Sequence, residues 1–364
     1  MNLLNDFTIT DDAVDKLIQV DSSYLYTHPG VIPNLGNLYD VAYSLDHYCK
    51  LKNKKIIAFC DYKEAPNSHF LNALRVVTQI LENDYNFKPQ QFIYISGYVP
   101  VESNYAKISA TLKQFDLQNI QHKNIFYWEN EWNNILQKTK LNLDSKPTKK
   151  FLFFGASPRP HRLLTIASLI DNHVLENSIY SILQPTQHLV EHCERYQFYK
   201  ARNIVKQSNL EFPQYLDMDP TEHHIMHSLI DSTIDYYKNS VISIISETSF
   251  YNNNATNENI WNYHLDYTFV TEKTMRAIAC CHPFIVTSRP YTLAHLQELG
   301  YKTFHPLIDE SYDTIEDDHA RIATIHEIIK ELNSYSLEQL NELKKSLFPV
   351  LTHNQNLLRR VRDR

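Results

Sequence analysis

The chain has 364 residues, 43% of them hydrophobic, and a net charge of −7 at pH 7. At roughly 100–200 residues per domain this is two domains of ordinary globular composition. Its acidic balance argues against a nucleic-acid binder, whose footprint would be basic. Residues 1–10 lack the basic and apolar regions of a signal peptide. No apolar run approaches the roughly 18–20 residues of a membrane span. Five Cys give no disulfide framework and suit a reducing, cytoplasmic compartment. Only 5 Gly occur, so neither GxGxxG nor GxxxxGK[ST] can be written. Any phosphate must be held by side chains and a helix N-terminus.

In chain order, short apolar runs alternate with amphipathic stretches. Ile56 to Cys60, ending at Asp61, reads as a buried strand. Residues 67–83 carry Phe70, Leu71, Leu74, Val77 and Ile80 at helical spacing. Phe92 to Ile95 is a second strand, Tyr105 to Phe115 a second helix, and Ile125 to Trp128 a third strand. This is βαβαβ and implies a parallel sheet. The polar stretch 138–150, with Pro147, reads as the linker between a first domain, 1–145, and a second, 150–364. The second series begins with strand Phe151 to Phe154 and helix His161 to Ile170. It continues with strand Val241 to Ile245, helix Thr271 to Ala279, strand Phe284 to Thr287 and helix Tyr291 to Leu299, stopped by Gly300. Lys302 to Phe304 reads as a short strand, and the tail from Asp318 as helical. The fold class expected is α/β, with two Rossmann-like domains facing a cleft and ligands at the carboxyl ends of the strands.

Two constellations fit an anionic ligand. In Gly155-Ala-Ser-Pro-Arg159-Pro-His161-Arg162 a strand passes through a Pro-flanked turn into a helix. Cations there oppose the helix dipole, but two Arg make sense if an anion sits between them and the helix amides. A solvated basic loop is the plainer reading. In the second, Ser246-Glu247-Thr248 follows strand 241–245, and Thr271 caps a helix whose first turn holds Glu272 and Lys273. A carboxylate there can bind a ribose diol and a Lys can neutralise a diphosphate. A favourable helix-start charge and a surface Lys explain the same residues without a ligand.

The segment from Val241 through Asp313 resembles the nucleotide-sugar-binding half of GT-B glycosyltransferases of the α-1,3-fucosyltransferase type. There a "FEN" segment precedes "YVTEK"; this chain has Ser246-Glu247-Thr248 and Phe269-Val270-Thr271-Glu272-Lys273. The chain is also similar to glycosyltransferase-like sequences of viruses and marine bacteria. The matching segments are Arg159-Pro160-His161-Arg162, Thr271-Glu272-Lys273, Pro283-Phe284-Ile285, Leu299 to Phe304 and Ile308 to Asp313. The resemblance covers roughly residues 150–345 and departs at Ser246-Glu247-Thr248. It implies a GT-B fold and donor contacts at Arg159, Arg162, Glu247, Glu272 and Lys273. The diphosphate would fall to Arg162 and Lys273, and the ribose to Glu272. The cofactor set implied is empty: the donor, a GDP- or UDP-linked sugar, is a substrate. The partners are that nucleotide sugar and a glycan or other hydroxyl acceptor. Where the chain is viral, the location implied is the host cytoplasm.

Inverting transfer, the outcome the resemblance favours, needs a base from the first domain. Asp61, Glu64 and Glu102 stand near its strand ends and are not ranked. Cations stabilise the leaving diphosphate, so no metal is expected. Asp217-Met218-Asp219 is formally a metal-nucleotide DxD but lies in a Pro-flanked polar segment. Among His223, His224 and His227, the pair four apart would share a helix face as zinc ligands do, but no third ligand or catalytic Glu has HExxH spacing. A non-catalytic nucleotide- or carbohydrate-binding protein of the same fold is the alternative.

Overall fold

The computed structural model describes residues 17–21, 42–43, 45–47, 49–50, 56–61, 68–124, 126–138, 146–155, 157–216, 230–251 and 267–361. Glu64, the Asp217–Asp219 segment and the His223–His227 cluster lie outside the described residues. The chain forms two compact units, Met1–Tyr127 with Thr256–Phe269, and Trp128–Ala255 with Val270–Arg364.

The first unit holds a parallel sheet in the order β1-β2-β3-β4. Its strands are β1 (Leu17–Asp21), β2 (Ile56–Asp61), β3 (Phe92–Ser96) and β4 (Gln121–Asn124). Helix α1 (Ser68–Tyr85) follows β2 and α2 (Glu102–Gln114) follows β3. Phe70, Leu71, Leu74, Val77 and Leu81 of α1 are buried against Phe59, Phe92 and Tyr94 of the sheet. The 3.6-residue period of α1 thus closes one face of the parallel sheet, as a βαβ crossover requires.

The strand expected over residues 125–128 is corrected by the structure. The third crossover leads to polar β4, Gln-His-Lys-Asn, and Tyr127 opens helix α3 (Tyr127–Lys138). β4 stands at a sheet edge, where an apolar run is not needed. The apolar Tyr127-Trp128 pair belongs instead to the start of α3, which buries Trp132 and Leu136.

The second unit holds β5 (Lys149–Gly155), β6 (Ser178–Ile182), β7 (Ser240–Ser246) and β8 (Phe284–Thr287), all parallel, in the order β6-β5-β7-β8. Its helices are α4 (Pro160–Asp171), α5 (Thr186–Arg195), α6 (Tyr199–Gln207), α7 (Ile230–Lys238), α8 (Glu272–Ala279) and α9 (Thr292–Glu298). The tail is three helices, α10 (Asp318–Ser334), α11 (Leu337–Ser346) and α12 (Phe348–Arg359). All seven residues of β7 are buried, as expected for a central strand covered on both faces. Residues 302–304 form no strand; Lys302 N donates to Asn354 Oδ1 at 2.8 Å and Phe304 N to Glu310 Oε1 at 2.6 Å. Those side chains replace the sheet partners the short apolar run would otherwise need.

The strand order carries a topological reversal. From β5 the chain turns to β6 on one side, then crosses to β7 on the other. The crevice at the carboxyl ends of β5 and β7 is where such sheets bind ligands.

Candidate functional site

Two loops leave the sheet at that reversal, one after β5 and one after β7. Arg159 caps α4, and Pro160 follows at the first helical position, where its fixed φ suits the helix start. Three side chains of Arg159-Pro-His161-Arg162 then reach three successive carbonyls of the other loop. Arg162 Nη2 donates to Ser246 O at 3.3 Å and Glu247 O at 3.4 Å. His161 Nε2 donates to Glu247 O at 2.9 Å, and Arg159 Nη1 to Thr248 O at 2.9 Å. A carbonyl only accepts, so Nε2 of His161 carries the proton. Burial first, then the Arg162 charge, pushes the His161 pKa well below its usual value, keeping the ring neutral. Arg162 is 4% exposed. The RPHR segment is therefore a clamp that locks the exit of β7 to the start of α4.

Glu247 is the second fastener. Its carboxylate is fully buried. Oε1 accepts from Thr271 N at 3.1 Å and Thr274 Oγ1 at 2.6 Å, and Oε2 from Thr271 Oγ1 at 2.6 Å. These bonds tie the end of β7 to the first turn of α8, which begins at Glu272 with Thr271 as its cap. The same turn carries Lys273, whose Nζ lies 2.9 Å from Glu272 Oε1 and 3.8 Å from Glu247 Oε2. Lys273 Nζ also donates to Thr271 Oγ1 at 2.8 Å.

A cavity of about 90 Å³ opens at this edge. Phe154 and Gly155 of β5, Ser181 of β6, Ser246 of β7, and Glu272, Lys273 and Arg276 of α8 line it. A Cβ on Gly155 would meet Cε1 of Phe153 at 3.0 Å, so the residue that ends β5 leaves room for the Phe153 ring. The Ser246 hydroxyl is buried with no hydrogen-bond partner. The structure thus brings Glu272 and Lys273 to the cavity wall. It sets Arg159, Arg162 and Glu247 behind that wall as fasteners of the loops that form it.

Sequence reasoning missed Arg276, Phe154 and Trp132. Arg276 is 3% exposed and stands over the Trp132 ring at 5.8 Å and the Phe154 ring at 6.0 Å. Its signal was present in the spacing: it follows Lys273 by three residues, so both share one face of α8.

In the first unit, Asp61 closes β2 and pairs in register with Ser96, which closes β3. Glu102, exposed, opens α2 directly beyond β3. Both stand at the carboxyl edge of their sheet. Beside them, Ser96 Oγ lies 2.8 Å from Nε2 of His122, and burial lowers the His122 pKa to about 4. Among the described residues no group of His, Cys, Asp and Glu is arranged to hold a metal, and no helix is long and apolar enough to cross a membrane.

Comparison with protein-family profiles returns no match, nor does comparison with curated proteins. Among solved structures, the chain is similar to the DNA-modifying enzyme β-glucosyltransferase, determined with and without uridine diphosphoglucose. That likeness has a TM-score of 0.41 and 10% identity over 95% of each chain. An α,α-trehalose-phosphate synthase (UDP-forming) from Burkholderia vietnamiensis gives a TM-score of 0.42 and 9% identity, over 90% of this chain and 77% of that one. Sucrose-phosphate synthase from Thermosynechococcus elongatus gives 0.35 and 11%, over 90% and 78%. Likenesses at this level assign no role to any residue.

Proposed function

We propose that the chain is a nucleotide-sugar-dependent glycosyltransferase of the GT-B type. One observation carries this reading: the cavity at the β5/β7 reversal is lined by Glu272 and Lys273 from the first turn of α8. An anion there gains the helix amides and a cation together. Glu272 would repel a diphosphate, so its partner is the ribose diol, and Lys273 faces the diphosphate. Arg159, Arg162 and Glu247 hold the two loops at that edge and fix where Lys273 and Glu272 stand.

As the sugar leaves, negative charge grows on the diphosphate, and a fixed cation beside it stabilises the transition state more than the ground state. The acceptor hydroxyl needs a base, and we assign that role to the carboxyl edge of the first sheet, where Asp61 and Glu102 stand. Transfer is then inverting, with cations rather than a metal offsetting the leaving charge. The donor is GDP- or UDP-linked.

The test is a screen of nucleotide sugars read by released nucleotide. Lys273→Ala should lower turnover by about 10- to 150-fold, the loss of one charge-assisted contact at roughly 1.5–3 kcal/mol. Glu272→Ala should mainly weaken donor binding. Activity should persist in excess EDTA. Nucleotide binding without turnover on any donor would leave a binding protein instead. If both variants bind and turn over like the parent chain, the donor site lies elsewhere.

A further inference from the structure

Arg276 has no structural employment that matches its cost. A guanidinium keeps its charge at any working pH, and burying one is unfavourable unless it is paired. Arg276 is 3% exposed, yet Nε and Nη1 are buried with no hydrogen-bond partner. Among the described residues no carboxylate lies within ion-pair distance of it. Glu272, one turn earlier on α8, is engaged by Lys273 Nζ at 2.9 Å instead. The Trp132 and Phe154 rings offer their faces, which offset part of the charge and accept no N–H in the plane of the guanidinium. Arg321, another buried arginine of this unit, shows the contrast. Arg321 is fully buried, and its guanidinium is spent on the carbonyls of Ser288, Ile315, Glu316 and Phe250 and on the Asp318 carboxylate.

Arg276, whose Nε and Nη1 have no partner, lines the same cavity as Lys273 and Ser246, whose hydroxyl is likewise unpartnered. Lys273 alone is a poor anion receptor, because the two carboxylates beside it, Glu272 and Glu247, outweigh its single charge. A second cation is needed before a polyanion gains from entering. Arg276 follows Lys273 by three residues, about 4.5 Å along the helix. The cavity of about 90 Å³ holds a group the size of several waters.

We propose that Arg276 is the buried anion-binding residue of this site, and that it takes phosphate oxygens of the donor's diphosphate group together with Lys273. The inference rests on the nucleotide-sugar reading of the cavity and adds which side chain holds the charge at its base. Two adjacent cations on one helix face suit two adjacent phosphates. A free pyrophosphate offers the same chemistry and serves as a minimal probe.

The experiment compares Arg276→Met and Arg276→Lys with the parent chain in two measurements. The first is thermal unfolding without ligand. A functional arginine buried at a cost to the fold predicts an unchanged or higher melting temperature for Arg276→Met. The second is titration with UDP, GDP, UMP, GMP, the nucleosides and pyrophosphate. The parent should prefer diphosphate over monophosphate. Arg276→Met should lose that preference and pyrophosphate binding by about 10-fold or more, with nucleoside binding unchanged, and Arg276→Lys should fall between.

A marked drop in melting temperature, or failure of Arg276→Met to fold, would mark the residue as structural and overturn the proposal. So would unchanged diphosphate binding. A loss confined to UDP-glucuronate against UDP-glucose, with UDP itself unaffected, would place a sugar carboxylate at Arg276 and overturn the phosphate assignment. If the parent chain binds no nucleoside diphosphate and no nucleotide sugar, the function reading falls with the inference. If it binds them and Arg276→Met binds them equally, the inference alone falls.

Discussion

Glu247 illustrates how one buried carboxylate can organise a site that it does not face. Three hydrogen bonds from Thr271 and Thr274 engage both its oxygens, and its backbone carbonyl is held by His161 and Arg162. The residue therefore joins three segments: the β7 exit, the start of α4 and the first turn of α8. Each bond is charge-assisted, which makes it roughly twice as strong as a neutral one. Glu247→Gln keeps the shape but removes the charge and turns an NH2 group toward groups that all donate. We expect a loss of about 2 kcal/mol, or roughly 4–8 °C in melting temperature for a unit of this size. Nucleotide affinity should fall with it, since Thr271 no longer fixes Lys273. A Glu247→Gln protein with the parent's melting temperature and affinity would remove Glu247 from this role. In the sequence Glu247 stood beside Ser246 as a candidate donor contact. Nothing in one dimension shows that a carboxylate 24 residues before Thr271 has its oxygens taken by that very cap.

At the scale of elements, α3 shows where the sequence was legible and where it was not. Strands β2, β3, β5, β7 and β8 are central or well-covered apolar runs, and their positions follow from hydrophobicity alone. β1 and β6 stand at sheet edges, as β4 and β8 do; β8 is covered and keeps four buried residues, whereas the other edge strands carry weaker apolar patterns. The Phe126-Tyr127-Trp128 run misled because a short apolar run does not distinguish a strand from the start of a helix. Its destination is set by tertiary bonds. Asn133 Nδ2 donates to Leu358 O at 2.7 Å, Gln137 Nε2 to Arg359 O at 2.6 Å, and Tyr301 Oη to Glu129 Oε1 at 2.6 Å. All of these tie α3 to the C-terminal part of the second unit. Trp132, 1% exposed, packs from α3 beneath the Arg276 guanidinium. Trp132→Ala should cost about 3–5 kcal/mol by leaving a cavity. The loss should appear in unfolding of the second unit, read by hydrogen exchange of β5 and β7 amides, with β2 and β3 unchanged. Equal loss of protection in both sheets would show that α3 does not belong energetically to the second unit alone.

At the scale of the whole molecule, histidines set how the fold responds to acid, chiefly the buried His161 and His282 and the half-buried His122 and His326. Burial lowers the pKa of His122 in the first unit to about 4, and that of His326 in the second likewise to about 4. His161 and His282 are pushed well below their usual value, chiefly by burial and then by Arg162 and Lys344 respectively. In the unfolded chain each titrates near 6.5. The unfolded state therefore binds more protons than the folded state at any pH between these limits, and stability falls as pH falls through that window. The contribution is fully present above about 6.5 and is lost progressively toward pH 4. Asp313 and Glu82, whose carboxyls burial pushes up, act in the opposite sense, but only as the pH nears the carboxylate range. We expect the melting temperature to drop steadily from pH 7 to pH 5 in both units. His282 is the informative position. Its Nδ1 lies 2.8 Å from Ser243 Oγ and its Nε2 3.0 Å from the Ser240 carbonyl, in the first half of β7. His326, 3.5 Å from Thr165 Oγ1 of α4, offers a second. His326→Gln keeps a polar partner for Thr165 and removes the titration, so the slope of melting temperature against pH should become shallower for the second unit only. Because no histidine among the described residues lines the cavity and the diphosphate of a nucleotide sugar has no ionisation near neutrality, nucleotide-sugar affinity between pH 7 and 6 should stay flat while stability declines. A melting temperature independent of pH from 7 to 5 would mean that these histidines are hydrated or paired in a way that burial does not capture, and the linkage argument would fail.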